Sequence, residues 1–359
     1  MKTLRCLLLA ATLLFVTACA PDAPPGASSG TQADYDALAS QFSIDQVFDA
    51  YTVLRDVVQM TPLVDSPALS DKAGVFLKLE SLQTTGSFKL RGAYYAVSRL
   101  TPQEQERGVI TCSAGNHAQG VALAAVEYGI KATIFIPETA PQAKIDDTKA
   151  YGVDVRVGGA DFSEAKEAAE AYARQSGGVY ISPYDDVGVI AGQGTIAWEV
   201  LMQNPDVEVI VVPIGGGGLM SGVSGTIKTL KPSCMVYGVE AEGYNSMQLS
   251  LEAGKPVSVS GQGTLADGIA VSAPSDLTFA ICQKYVDDIV TVTDEQVADA
   301  MLFMLDEHKL VVEGAGAVSV AAIINDLLPT DGKNVVCVVS GGNLDDKTLA
   351  ELIRSRDAA

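Results

Sequence analysis

The residues in this chain that could do chemistry sit where an apolar run gives way to an amphipathic one. Ser81-Leu82-Gln83-Thr84-Thr85-Gly86-Ser87-Phe88-Lys89-Leu90-Arg91-Gly92-Ala93 follows one such run and opens a helical stretch. A lysine at that junction lies at the carboxyl edge of a sheet, where α/β proteins bind ligands. A lone lysine on a helix is normally just solvated, so its neighbours decide the reading. Ser113-Ala114-Gly115-Asn116-His117-Ala118-Gln119-Gly120 occupies a second strand-to-helix junction. Free backbone N–H groups at a helix start form an anion site. Gly215-Gly216-Gly217-Gly218-Leu219 marks a third junction. Glycines allow consecutive N–H groups to turn toward one anion, so this run reads as a phosphate nest. A fourth string, Val338-Val339-Ser340-Gly341-Gly342-Asn343, ends an apolar run on a small hydroxyl. His117 is one of only two histidines, and its position suits shaping a loop better than moving a proton.

The elements that must carry these junctions follow from the hydropathy pattern. Residues 75–79, 109–112, 132–136, 153–157, 207–212, 235–239 and 335–339 read as strands. Residues 88–100, 118–128, 163–173, 196–203, 219–230, 294–307 and 317–327 read as helices. Continuous β-branched strands alternating with helices predict an α/β protein with parallel sheets covered on both faces. With 359 residues, 48% of them hydrophobic, the chain can bury a large core and form two domains. The formal net charge of −20 repels phosphate backbones and excludes nucleic-acid binding.

The beginning of the chain has its own pattern. Lys2 and Arg5 precede an apolar run at residues 7–18. That run is too short to span a bilayer, which takes roughly 20 residues, but it fits the core of a signal peptide. Val16-Thr17-Ala18-Cys19 resembles a bacterial lipobox, with Cys19 as the lipidated residue, and the Pro-, Ala-, Gly- and Ser-rich stretch after it reads as a tether. The expectation is an exported lipoprotein, anchored in the outer membrane through its lipid alone. Cys112, Cys234, Cys282 and Cys337 are scattered through apolar runs without a CxxC pair, and read as buried thiols.

Together the four junction motifs resemble those of the fold-type-II pyridoxal-phosphate (PLP) enzymes, above all the threonine/serine dehydratases and the related serine racemases. Thr61-Pro62-Leu63, Pro183-Tyr184-Asp185-Asp186, Ile190-Ala191-Gly192-Gln193-Gly194-Thr195, Gly263-Thr264-Leu265-Ala266-Asp267-Gly268 and Glu313-Gly314-Ala315-Gly316-Ala317 match too. The resemblance spans residues 46–343 and keeps the family's order. It implies a two-domain, tryptophan synthase β-like fold. The large PLP-binding domain would be residues 34–107 and 183–359, with residues 108–182 as a small inserted α/β domain. A signal peptide (1–18) and a tether (19–33) would precede them. Lys89 is implied to form the Schiff base with PLP, and Phe88 to pack on the ring. Asn116 would contact the ring hydroxyl, and Gly215, Gly216, Gly217, Gly218 and Leu219 would hold the phosphate. Ser340 would face the pyridine nitrogen. Ser113, Ala114, Gly115, Asn116 and His117 would grip the substrate carboxylate.

The implied reaction is β-elimination of water from L-threonine or L-serine, giving ammonia with 2-oxobutanoate or pyruvate, and Lys89 would take the α-proton. A racemase needs a second base on the opposite face of the substrate. Serine racemases carry a serine before Gly-Asn-His, where this chain has Ala114, so dehydration is the expected outcome. An ammonia-lyase for another β-hydroxy amino acid, such as 3-hydroxyaspartate, is an alternative, as is a lipoprotein that binds an amino acid without turning it over. Glu240 matches the carboxylate of the family's cation site, but Ser246 stands where racemase-like members have an aspartate. With only 16 residues after Asn343, a regulatory C-terminal domain is not expected, and the shorter catabolic dehydratases are the closer resemblance. Relatives of this kind form homodimers or homotetramers, and a homo-oligomer is expected.

Overall fold

The apolar β-branched runs fold as buried strands. In the computed structural model, which describes residues 30–358 except residue 71, they are β1 (Leu63–Asp65), β2 (Gly74–Leu79), β3 (Val109–Cys112), β4 (Ala132–Ile136), β5 (Asp154–Val157), β6 (Val179–Tyr180), β7 (Val209–Pro213), β8 (Met235–Ala241), β9 (Asp288–Val292) and β10 (Asn334–Val339). The helices are α1 (Gln32–Ala39), α2 (Ile44–Leu54), α3 (Lys89–Ser98), α4 (Pro102–Arg107), α5 (Asn116–Glu127), α6 (Gln142–Lys149), α7 (Phe162–Ser176), α8 (Val187–Gln203), α9 (Gly218–Leu230), α10 (Ser246–Ala253), α11 (Asp276–Tyr285), α12 (Asp294–His308), α13 (Gly314–Ile324) and α14 (Asp346–Ala358). One sheet runs β1-β2-β10-β7-β8-β9 and the other β5-β4-β3-β6. Every pairing is parallel except β1 with β2, so the α/β class with parallel sheets holds.

Alternation along the strands builds the core. Ile210, Val212, Val236, Val336 and Val338 face one side of the larger sheet and join α2, α3, α8, α9 and α11. Val209, Val211, Val335, Cys337 and Val339 face the other side and meet α12 and α13. Successive side chains of a strand point to opposite faces, so a run apolar at every position is what a sheet covered on both faces requires. The smaller sheet repeats the scheme. Ile110, Cys112 and Phe135 pack on Ala165, Ala169 and Ala173 of α7, while Ile134 and Ile136 pack on Ala118 and Ala122 of α5. All the described cysteines are free and buried, as read from the sequence.

Charge fixes the start of α3 from behind. Lys78 on β2, Glu80 after it, Arg91 on α3 and Glu199 on α8 form a buried cluster. The Arg91 guanidinium donates to Glu80 at 2.8 and 2.9 Å and to Glu199 at 2.7 and 2.9 Å. Lys78 Nζ donates to Glu199 Oε2 at 2.6 Å. Both carboxylates are therefore paired, without which burial would be prohibitive.

Two expectations need revision here. α8 starts at Val187 rather than at residue 196, because Asp186 caps it by accepting from Val189 N at 2.8 Å and the run with Gly188, Gly192 and Gly194 is helical. The proposed tether does not reach residue 33. α1 begins at Gln32 behind a Thr31–Asp34 capping box, and Tyr35, 2% exposed, stacks edge-on against Phe279. The apolar run and Cys19 lie outside the described residues. Among the described residues no helix is long and apolar enough to cross a membrane.

Candidate active site

Strand order decides which loops meet. β2, β10 and β7 are adjacent and parallel, so their carboxyl ends lie side by side. β2 leads through a short loop to Lys89, the first residue of α3. β10 ends at Val339, immediately before Ser340, and β7 ends at Pro213, just before the glycine run. The lysine loop is stitched to the end of β10: Ser87 and Gly341 form an antiparallel bridge, and Phe88 N donates to Ser340 O at 3.1 Å. In the smaller sheet, β3 leads through Ser113, Ala114 and Gly115 to Asn116, the first residue of α5. α3 and α5 pack together, which brings this second loop to the first.

Lys89 Nζ lies 5.2 Å from the centroid of the Phe88 ring and donates to Pro183 O at 3.2 Å. Burial pushes its ammonium down to about 8, against the opposing pull of the Glu313 carboxylate. Tyr184, next to Pro183, lies on the glycine run, and a Cβ on Gly216 would sit 2.4 Å from its ring. Gly217, the residue before α9, has φ +91°, a conformation that favours glycine. Leu219 turns its side chain into the core, so only its backbone is available to a ligand. Ser340 is buried and its Oγ donates to Ala315 O at 3.2 Å.

In the second loop, Ser113 Oγ accepts from Gly115 N at 3.2 Å, and Ala114 leans against the apolar cluster under α5. His117 is buried and its Nε2 lies 3.1 Å from Ile181 O. Burial, with the charge of Lys89, pushes its pKa down to about 3, so the ring is neutral and Nε2 donates to that carbonyl. Its other nitrogen has no hydrogen-bond partner among the described residues. Asn116 Nδ2 donates to Glu313 Oε1 at 2.7 Å, and Asn343 Nδ2 donates to Asn116 Oδ1 at 2.7 Å. Burial and the Asp267 charge push Glu313 up to about 7. Lys89, Phe88, Asn116, His117, Ser340 and the glycine run therefore share one region. Sequence reasoning assigned no role to Glu313, Asn343 or Tyr184. The available signal for Glu313 was a charged residue inside an otherwise apolar stretch.

Glu240, offered by the sequence as a cation ligand, also has a role within the fold. Its carboxylate accepts from Met247 N and Gln248 N, each at 2.9 Å, and so caps the N-terminus of α10. Among the described residues no group of three or more His, Cys, Asp or Glu side chains is placed to hold a metal.

A family model described as pyridoxal-phosphate dependent enzyme matches residues 54–341. The L-threonine ammonia-lyase of Thermotoga maritima is 50% identical over 313 residues, which is 87% of this chain and 78% of that one. A catabolic L-threonine dehydratase of Staphylococcus aureus is 41% identical over 309 residues, covering 84% of this chain and 89% of its own. The structure of maize serine racemase superposes with a TM-score of 0.83 at 34% identity, covering 88% of this chain and 98% of that one.

These relatives overturn the expected localisation. Along most of the chain the matches are a threonine ammonia-lyase and a catabolic dehydratase by name, not exported lipoproteins. A short apolar run before a cysteine is too unspecific a pattern to outweigh them. The idea of a lipoprotein that only binds an amino acid falls on the same ground. Judged by the matched span and by these identities, the chain belongs to the pyridoxal-phosphate dependent enzymes, in the fold type that threonine ammonia-lyases share with serine racemase.

Proposed function

We propose that this protein is a PLP-dependent ammonia-lyase that removes water from L-threonine, and from L-serine, and releases ammonia with 2-oxobutanoate or pyruvate. One observation carries the reading. A lysine whose ammonium burial pushes down to about 8 stands at the carboxyl edge of the larger sheet, beside a four-glycine run that opens a helix.

The residues suit the cofactor. The glycine run comes so close to Tyr184 that a side chain at Gly216 would collide with it, which leaves a bare backbone to face a phosphate. The buried hydroxyls of Ser81, Thr85 and Ser87 on the lysine loop have no hydrogen-bond partner among the described residues, so polar capacity remains at the site. Lys89 would hold the cofactor, with Phe88 against the ring, Asn116 at the ring oxygen, Ser340 at the ring nitrogen, and Gly215 to Leu219 at the phosphate. When bound, PLP supplies an electron sink for breaking the Cα–H bond.

Everything else falls to the chain's own groups. Backbone N–H groups from Ser113 to His117, at the start of α5, orient the substrate carboxylate. Lys89 Nζ, once released, takes the proton from Cα. The neutral, carbonyl-bonded His117 shapes that loop and moves no proton. Ala114 offers no proton on the opposite face, which favours elimination over racemisation. We take each sheet with its covering helices as a domain, the smaller one being residues 108–182, and the protein as a homo-oligomer, which sedimentation velocity would read.

The test is release of oxo acid by the purified protein with PLP, offered L-threonine, L-serine and their D-forms, beside Lys89→Ala. Release from the L-substrates, abolished in the variant and without D-serine formation, is expected. No release from any of them, with the absorption of bound cofactor intact, would redirect the assignment to another β-hydroxy amino acid such as 3-hydroxyaspartate. Fast conversion of L- to D-serine that depends on Lys89 would sink the elimination reading.

A further inference from the structure

A chain of hydrogen bonds crosses from the lysine loop to the start of α13, and only one assignment of its amides satisfies it. The carbonyl oxygen of Thr85 can only accept. Asn343 therefore faces it with Nδ2, 2.8 Å away. The second hydrogen of that Nδ2 goes to Asn116 Oδ1 at 2.7 Å. Asn116 is left with its own Nδ2 turned the other way, 2.7 Å from Oε1 of Glu313. Flipping the Asn116 amide would set donor against donor at Asn343 and acceptor against acceptor at Glu313.

Asn343 has little freedom to follow such a flip. It is wedged against the lysine loop so closely that a Cβ on Gly86 would sit 2.2 Å from its Oδ1. Packing alone does not fix Asn116, because the chain borders a cleft of about 550 Å³ lined by Thr85, Gln119, Tyr151 and Asn343 among others. Water in a cleft of that size can satisfy an amide in either orientation. Ionised Glu313 can only accept and so selects the Asn116 amide; once protonated it could also donate, and the orientation then rests on Asn343, whose Nδ2 must face the Thr85 carbonyl and meets Asn116 Oδ1.

We propose that Asn343 and Glu313 are positioning residues, which lock the Asn116 amide so that its remaining N–H points at the ring oxygen of the cofactor. This rests on the reading of Asn116 as the residue at that oxygen. An electron-rich ring oxygen is stabilised by a donor and repelled by the amide oxygen that a flipped Asn116 would present. Losing the lock therefore costs more than one ordinary hydrogen bond. It also explains why residues from both sheets, Asn116 after β3 and Asn343 after β10, are tied together beside Lys89.

The experiment uses holoenzyme of Asn116→Ala, Asn343→Ala, Asn343→Asp, and the Asn116→Ala/Asn343→Ala double variant. The readouts are the dissociation constant for PLP, the visible absorption bands of the bound cofactor, and the melting temperature. Asn343→Ala is expected to weaken PLP binding roughly tenfold, the size of one lost hydrogen bond with its repulsion, and to change the ratio of the bands. Asn343→Asp keeps the size but lacks the donor, and should behave alike even if the alanine variant folds poorly. Asn116→Ala should match both, and the double variant should be no worse than the worse single. Glu313→Gln keeps an acceptor and should stay near wild type, while Glu313→Leu should follow Asn343→Ala.

If the Asn343 variants lower only the melting temperature while Asn116→Ala changes affinity and spectrum, the lock does not exist and the reading of Asn116 survives. Additive losses in the double variant would overturn the lock as well. If Asn116→Ala leaves affinity and spectrum untouched, the reading of Asn116 fails, and the inference built on it fails too.

Discussion

An amine attacks a carbonyl only in its neutral form, so if Lys89 holds the cofactor as proposed, its ionisation governs how the protein takes that cofactor up. Burial brings this lysine from 10.5 down to about 8, with Glu313 pulling the other way. A lower pKa means a larger neutral fraction at any given pH. The rate of PLP capture by apoprotein should therefore rise through about pH 8 and flatten above it. Stopped-flow absorbance reads this directly. A rate still climbing toward 10.5 would mean that the lysine is more solvated than its surroundings suggest. Lys89, Asn116, the glycine run and Ser340, which the fold brings into one region, stood out in the sequence because each is flanked by a short motif at a strand-to-helix junction. Glu313 and Asn343 could not be assigned, because their roles depend on Asn116, which lies 197 and 227 positions away in the chain. The capping contacts of Glu240 were hidden for a related reason. A carboxylate at a strand end does not reveal in sequence the helix that it caps.

At the scale of elements, the placement of α3 depends on the buried cluster behind it. Burial raises the carboxyl of Glu80, but Arg91 and Lys78 outweigh it and hold Glu80 below the ordinary range. A depressed carboxylate contributes stability that is present above its unfolded pKa and lost as pH falls through its folded value. Arg91→Met would strand Glu80 as a buried charge, while Glu199 keeps Lys78 at 2.6 Å, at a cost of about 3–5 kcal/mol, and would lift Glu80 out of its depressed range. Urea unfolding should show that loss at neutral pH, together with a weaker fall in stability on acidification than wild type. A cost below about 1 kcal/mol, as for an exposed pair, would mean that water reaches the cluster. Hydropathy revealed the strands well, since β7 and β10 are buried almost end to end. It missed the first half of α8, where Gly188, Gly192 and Gly194 interrupt the apolar pattern yet let neighbouring helices approach. Short α2 and α11, held by the capping boxes of Ser43 with Gln46 and Ser275 with Thr278, carry too few turns to give a clear period.

The whole molecule bears a net charge of −20 and must capture a small anion, because PLP carries a phosphate. Two fields act on that encounter. The global field is repulsive, while the locality of Lys89, Lys144 and the glycine run at the start of α9 is attractive. Their ranges under salt differ. At about 0.01 M ionic strength the Debye length is roughly 30 Å, comparable to a domain, and the approaching anion feels the entire acidic surface. At about 0.15 M it is roughly 8 Å, and mainly the nearby groups act. The association rate for PLP should therefore increase between these conditions, opposite to the usual behaviour of an electrostatically steered ligand. The melting temperature should rise as well, since screening relieves the mutual repulsion of surface carboxylates. Stopped-flow capture and thermal melts in a neutral-salt series measure the two effects separately. A melting temperature that rises while the capture rate falls would mean that local positive potential outweighs the global charge at the mouth of the site. In that case Lys144→Ala, which removes a cation paired with Asp267 at 2.5 Å, should flatten the salt dependence of capture.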